Sequence, residues 1–242
     1  MRICIPIVAD SVDSALVKMD RAFNAGDLLE LRVDRIGDAN LQRLLKREPA
    51  RILVTNRRTE EGGAFAGTER ERVALLLEAV RLGAGYVDIE AATDTRLIKK
   101  MKDTIGKNGG RTRLIVSNHD ITGTPGHEIL KRRLAEGTSL GAAIVKIVTT
   151  ARTMEDNLNV LGLIPYARKA GMPVIAFCMG EAGRMSRVMA GLLGSFLTFA
   201  SLNRGEESAP GQITIKEMRE ILERVQGAKG SRVRVKQSEK DI

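Results

Sequence analysis

The chain has 242 residues, of which 43% are hydrophobic and 29% charged; 39 Lys and Arg against 30 Asp and Glu give a net charge of +9. This composition excludes wholesale disorder, and no apolar run approaches the roughly 18–20 residues that span a bilayer. Two Cys (Cys4 and Cys178) and two His (His119 and His127) make neither a disulfide framework nor a zinc spacing, and the N-terminus lacks the pattern of a secretory leader. The expectation is a cytoplasmic protein that binds neither membrane nor metal.

Short β-branched runs recur along the chain, at 3–8, 28–33, 52–56, 86–90, 113–117, 143–148, 173–177 and 197–201. Their starts lie 24–34 residues apart, the period of a βα unit. The segments between them read as helices. Thr68 with Glu71 is a capping-box signature, and Val73, Leu76, Leu77 and Val80 follow on one stripe. The last helix places Ile215, Met218, Leu222 and Val225 on one face. Eight such units predict a single-domain α/β fold, the (β/α)8 TIM barrel, over residues 1–226. A doubly wound sheet is disfavoured because the first strand runs into Ala9-Asp10-Ser11, with no glycine-rich fingerprint. Residues 227–242 show no apolar period and supply +3 of the charge, which predicts a basic, flexible tail.

In such a barrel the chemistry sits where the strands end. In the second strand Leu29, Leu31 and Val33 should face the helices, leaving Glu30 and Arg32 to point inward. They form either part of a site or a structural ion pair that plugs the barrel. Asp88 and Glu90 repeat the pattern in the fourth strand and read as structural. Lys146 lies within AAIVKIV, apolar on both sides. Desolvation disfavours an ammonium there, and a neutral amine can form an imine with a carbonyl. The alternatives are a Lys paired with an acid inside the barrel, or one reaching solvent.

His119 follows the fifth strand in VSNHDITGTP, positioned either as a general base or incidentally. His127, at a helix start, receives no role. The loop NRRTEEGGAFAG (56–67) has the glycine density of a hinge, of a close approach to a ligand, or of a plain flexible loop. Arg184 and Arg187 after the seventh strand suit anion recognition, and Ser208 and Gln212 after the eighth offer neutral hydrogen-bonding groups. An amine, an imidazole, several Arg and several hydroxyl or amide groups on one rim suit imine chemistry on a small polyhydroxylated anion.

Six separated motifs then resemble one family, the type I 3-dehydroquinate dehydratases. They are ELRVD (30–34), the stretch from Thr55 to Gly63 with Arg57 and EGG, SNHD with TP (117–125), VKIV (145–148), MG…G..SR (179–187) and SAPGQI (208–213). The resemblance spans residues 3–215. It implies a (β/α)8 barrel that dehydrates 3-dehydroquinate to 3-dehydroshikimate in the shikimate pathway of aromatic amino acid biosynthesis, without a cofactor. On this chain it implies Lys146 as the imine lysine, His119 as acid and base, and Glu61 as the carboxylate that orients His119. It further implies Arg187 as the clamp on the substrate carboxylate. It implies Glu30, Arg32, Arg57, Ser208 and Gln212 as the groups that bind the substrate's hydroxyls and close over it.

Ile121 departs from the aromatic that many members carry after the His-Asp pair, and Arg58 beside Arg57 leaves open which arginine meets substrate. The family has dimeric members, so a homodimer is weighed, although no helix stripe decides it. Two other readings stay open. A lysine-dependent aldolase barrel would cleave C–C bonds. A basic nucleic-acid-binding module is disfavoured because aromatics are only 3% of the chain and no stacking platform is visible.

Overall fold

A computed structural model describes residues 1–226; the basic tail at 227–242 lies outside the described residues. Eight parallel strands alternate with helices in chain order. They are β1 (Ile3–Ile7), α1 (Val12–Phe23), β2 (Leu28–Arg32), α2 (Leu41–Leu44), β3 (Ile52–Thr55), α3 (Glu69–Arg81), β4 (Tyr86–Glu90), α4 (Thr95–Lys107), β5 (Arg113–Asp120) and α5 (His127–Ser139). Then follow β6 (Ile144–Thr150), α6 (Met154–Leu161), α7 (Leu163–Lys169), β7 (Val174–Met179), α8 (Arg184–Leu193), β8 (Thr198–Phe199) and α9 (Ile215–Gln226).

The strands pair in the order β7-β6-β5-β4-β3-β2-β1-β8, each with its neighbour in parallel. Among the described residues, the β7–β8 seam alone lacks a ladder. There the Phe196 amide donates to the Val174 carbonyl at 2.8 Å, so the barrel is nearly closed. Parallel strands covered on both faces must be apolar on the outside and filled within. Ile3, Ile5, Leu29, Leu31, Val54, Val87 and Ile89 accordingly pack outward against the helices.

Local chemistry explains the helix ends. The Thr68 side chain accepts from the Glu71 amide while the Glu71 carboxylate accepts from the Thr68 amide, the reciprocal cap expected for α3. Val73, Leu76, Leu77 and Val80 are buried, as their spacing predicts. The α9 stripe holds for Ile215, Met218 and Leu222, but Val225, one residue from the helix end, is 60% exposed.

Two strands run longer than their apolar stretches. β5 continues through Ser117, Asn118, His119 and Asp120, and β6 through Thr149 and Thr150. The two extensions pair with each other, His119 opposite Val148 and Asp120 opposite Thr149. Backbone hydrogen bonding thus carries polar residues into regular strand that composition alone assigns to a loop. β8 is shorter than expected, two residues against five. Among the described residues no helix is long and apolar enough to cross a membrane.

Candidate active site

Strand alternation sets the site in layers. The lowest inward layer is apolar and includes Cys4, Leu28, Leu53 and Ile115. One pleat higher the same strands present Glu30, Thr55, Asp88, Ser117 and Lys146, and one pleat higher again Arg32, Arg57, Glu90 and His119. All of these except His119 are buried, so the polar layers cap an apolar plug. Above them lies a cavity of about 350 Å³, a size suited to a small ring acid. Lys146, His119, Glu61, Glu30, Arg32, Arg57, Arg187, Ser208 and Gln212 all line it.

Lys146 is 4% exposed. Its Nζ lies 3.0 Å from Asp88 Oδ2 and 3.6 Å from Glu30 Oε1, and 4.7 Å from the centre of the Phe199 ring. The barrel-paired alternative is therefore realised geometrically, with the same amine opening onto the cavity. Glu30 accepts from Thr55 Oγ1 at 2.8 Å. The Glu30–Arg32 plug does not form, since Arg32 makes a two-pronged bond to Asp34 at 2.8 and 2.7 Å.

Arg57 anchors a buried charge network. Its Nη2 meets Asp88 Oδ1 at 2.8 Å, and its Nη1 meets Glu90 Oε1 at 2.7 Å and Ser117 Oγ at 2.8 Å. Burial disfavours the Arg57 charge, but the carboxylates of Asp88 and Glu90 outweigh it and hold the guanidinium charged. Burial likewise opposes ionised Asp88, and Arg57 and Lys146 overcome it and keep that carboxyl far below the usual range. Asp88 and Glu90 are thus ionic struts, as their pattern suggested. Arg58 instead pairs with Glu60 at 3.0 Å outside the cavity, so Arg57 is the arginine that faces it.

His119 sits on β5 itself, a correction to its expected loop position, and the β5–β6 ladder fixes it. Glu61 follows β3 on a single 3-10 turn, Thr59–Glu61. Its Oε2 accepts from the His119 amide at 2.8 Å and lies 3.0 Å from Nδ1. With Glu61 ionised, one oxygen accepts from both the amide and Nδ1–H, and the second ring nitrogen, Nε2, is then the basic one. Burial, with the Arg57 and Lys146 charges, pushes His119 well below its ordinary range; the Asp88 charge only partly opposes this. Burial raises Glu61 to about 7 against the lowering by Arg57. The downward shift keeps the imidazole neutral near pH 7, and Glu61, at about 7, is partly ionised there and able to support positive charge on the ring.

The glycine-dense loop does not approach a ligand through Gly63. A Cβ there would stand 1.9 Å from the Arg57 carbonyl oxygen, so Gly63 lets the loop fold back onto β3 and bring Glu61 under His119. On the opposite wall Arg187, at the start of α8, is 1% exposed. Its Nη2 donates to the Pro210 carbonyl at 3.1 Å and its plane lies 4.8 Å from the Phe177 ring centre, while its Nε has no partner. No acid of the described residues pairs with it, and burial lowers it to about 10, still charged near neutrality. Gln212 and Ser208 hold each other, Oε1 accepting from the Ser208 amide at 2.9 Å and Nε2 donating to Ser208 Oγ at 3.0 Å. Arg184 points away and pairs with Glu181 at 3.1 Å.

Sequence reasoning missed Arg72, fully buried on α3, which extends the network outward from Glu90. It also missed Arg35, Phe177 and Met179, which line the cavity. Among the described residues no cluster of three or more His, Cys, Asp or Glu could hold a metal ion.

A family model described as type I 3-dehydroquinase matches residues 3–229. A 3-dehydroquinate dehydratase of Desulfotalea psychrophila is 39% identical over 92% of this chain and 97% of its own. One from Methanococcus maripaludis is 35% identical over 93% and 100%. The crystal structure of the Geobacillus kaustophilus 3-dehydroquinate dehydratase superposes with a TM-score of 0.83 at 30% identity, covering 95% of this chain and 92% of that one. A 3-hexulose-6-phosphate synthase superposes at 0.58 with 16% identity, which is a likeness of barrel alone. Fold, cavity and relatives agree: the chain belongs to the type I 3-dehydroquinase family.

Proposed function

We propose that the family's reaction, dehydration of 3-dehydroquinate, runs in this chain through an imine on Lys146, with His119 as acid and base. The observation that carries this reading is the placement of a buried amine beneath the cavity, one strand from an imidazole that Glu61 holds at Nδ1.

The substrate ketone descends onto Nζ. Lys146 passes a proton to His119 and attacks the carbonyl carbon; the hydroxyl so formed leaves as water with that proton, and an imine remains. The imine withdraws electrons and acidifies the adjacent C–H. His119 Nε2 takes that proton, and Glu61 on the other side of the ring supports the imidazolium that forms. The resulting enamine expels the hydroxyl one carbon further on, which leaves as water with the proton from His119. Hydrolysis of the conjugated imine then frees 3-dehydroshikimate and restores Lys146. One water enters and two leave, so the net loss is one.

Arg187 fixes orientation. A buried guanidinium with an unused Nε and no acid beside it gains a charge-assisted, two-pronged partner when the substrate carboxylate arrives. Glu30, Arg32, Arg57, Ser208 and Gln212 ring the remaining space and meet the substrate's hydroxyls. Lys146→Ala tests the reading: rise of the product's conjugated-enone absorbance should vanish while the far-UV circular dichroism stays that of the parent. Retained turnover in that variant would contradict it.

A further inference from the structure

The buried charges form one alternating line that leaves the cavity and reaches the surface. Inside, Lys146 meets Asp88, and Asp88 meets Arg57 with its other oxygen. Arg57 meets Glu90, whose second oxygen accepts from Arg72 Nη1. Arg72 ends the line on Glu69, with Nε at 2.8 Å and Nη2 at 2.9 Å from the two carboxylate oxygens. Each carboxylate in the middle is divided, one oxygen per cation. Such shared charges respond together in a low-dielectric interior.

We propose that Arg72, two ion pairs from the cavity and out of reach of substrate, is a positioning residue that sets the charge balance at Lys146 through Glu90, Arg57 and Asp88. The role rests on Lys146 being the imine lysine. With Arg72 in place, Glu90 is neutralised from outside and Arg57 is free to share its charge with Asp88. Without it, Arg57 is the one remaining cation on Glu90, Asp88 acts more fully on Lys146, and the ammonium form gains. Arg72 also donates to the Asn56 carbonyl at 2.8 Å and so holds the residue before Arg57. Its bond to Thr93 Oγ1 at 2.9 Å ties α3 to the loop after β4.

Other charged and titratable groups line the same cavity: Glu30 and Arg32 of β2, Arg35 just after it, His119 of β5, Glu61 of the turn after β3, and Arg187 of α8. β1 presents only the Cys4 thiol, which burial holds neutral, and β7 and β8 present Phe177 and Phe199. None of these touches Arg72, so a change of its charge reaches Lys146 along the ion-pair line, while loss of the Asn56 bond acts on the position of Arg57.

The test is the pH dependence of imine formation, read as the rate of borohydride trapping with 3-dehydroquinate. A unit charge removed about 10 Å away in a protein interior moves such an equilibrium by about one pH unit. In Arg72→Met the acidic limb of trapping should move up by about that amount. Arg72→Lys keeps the charge and loses bonds; its melting temperature should fall while the limb stays put. Glu69→Gln removes the outer negative charge and should move the limb down by a few tenths of a unit, less because Glu69 is partly exposed. A merely structural Arg72 would lower melting temperatures and move no limb. The proposal is overturned if folded Arg72→Met titrates like the parent, or if Arg72→Lys shifts as Arg72→Met does. Should Arg72→Met not fold, an unmoved limb in Glu69→Gln overturns it. Absence of any adduct on Lys146 in the parent protein would instead fail the imine reading itself.

Discussion

Lys146 is costly to bury, and Asp88 and Glu30 offset that cost. Its buried place is legible because an apolar strand holds few reasons to contain a lysine. His119 stands out as one of two histidines, but Glu61 is singled out only through motif resemblance; neither strand pattern nor spacing says that residues 58 positions apart meet at 3.0 Å. Their roles separate in mutants. His119→Ala should slow turnover by about 10²–10⁴-fold while the imine still forms, so trapped adduct accumulates in mass spectra. An unchanged rate would remove its role.

Glu61 also gives a stability prediction with a definite sign. Its folded value is raised, from an ordinary 4.5 to about 7. The folded state therefore holds the proton more tightly, and that contribution is complete below 4.5 and lost as pH climbs to 7. Glu61→Gln, which never ionises, should be more stable than the parent at pH 8, by on the order of 1–3 kcal/mol, and close to it at pH 4. Denaturant melts at the two pH values measure this; a gap that does not widen with pH would contradict the buried, charge-averse Glu61.

Elements place these residues, and here sequence reading was uneven. The strands were visible as apolar runs, but β5 and β6 extend past theirs because each supplies the other's hydrogen bonds. That extension puts His119 on rigid strand rather than on a loop. Arg72 is not visible in α3 as a core residue because a charged side chain interrupts the apolar pattern by which a buried stripe is recognised. It stands three and four residues from Glu69 and Leu76, on the face that Leu76 and Ala79 also bury. A charged residue in step with that stripe was the available signal.

The loop between β8 and α9 makes its own prediction. Gly211 has φ +76°, and a Cβ there would come 2.2 Å from the Gly180 carbonyl oxygen. Alanine would combine left-handed strain with a backbone clash and push Ser208 and Gln212 off the cavity. Gly211→Ala should raise KM roughly 10-fold or more while the barrel's melting temperature changes little. An unaltered KM would show that the loop does not need this seat.

At the scale of the molecule, the barrel separates support from chemistry. An apolar plug fills the lower layer, charges fill the next two, and the cavity opens above them. The eightfold βα period made the architecture readable from the chain. The charge network was not, because it joins β2, β3, β4, β5 and β6 with α3, and no local pattern encodes pairings between six elements. An imine is itself the electron sink, so dialysis against a strong chelator should leave the turnover rate unchanged. A loss restored by a divalent cation would require a different mechanism.

The proposed mechanism requires that Lys146 carry the substrate. Incubation with 3-dehydroquinate and borohydride, followed by intact mass and peptide mapping, reads this out. One stable adduct per chain is expected, on the peptide containing Lys146 and absent in Lys146→Ala. Full turnover with no adduct, or an adduct mapped to another lysine, would contradict it.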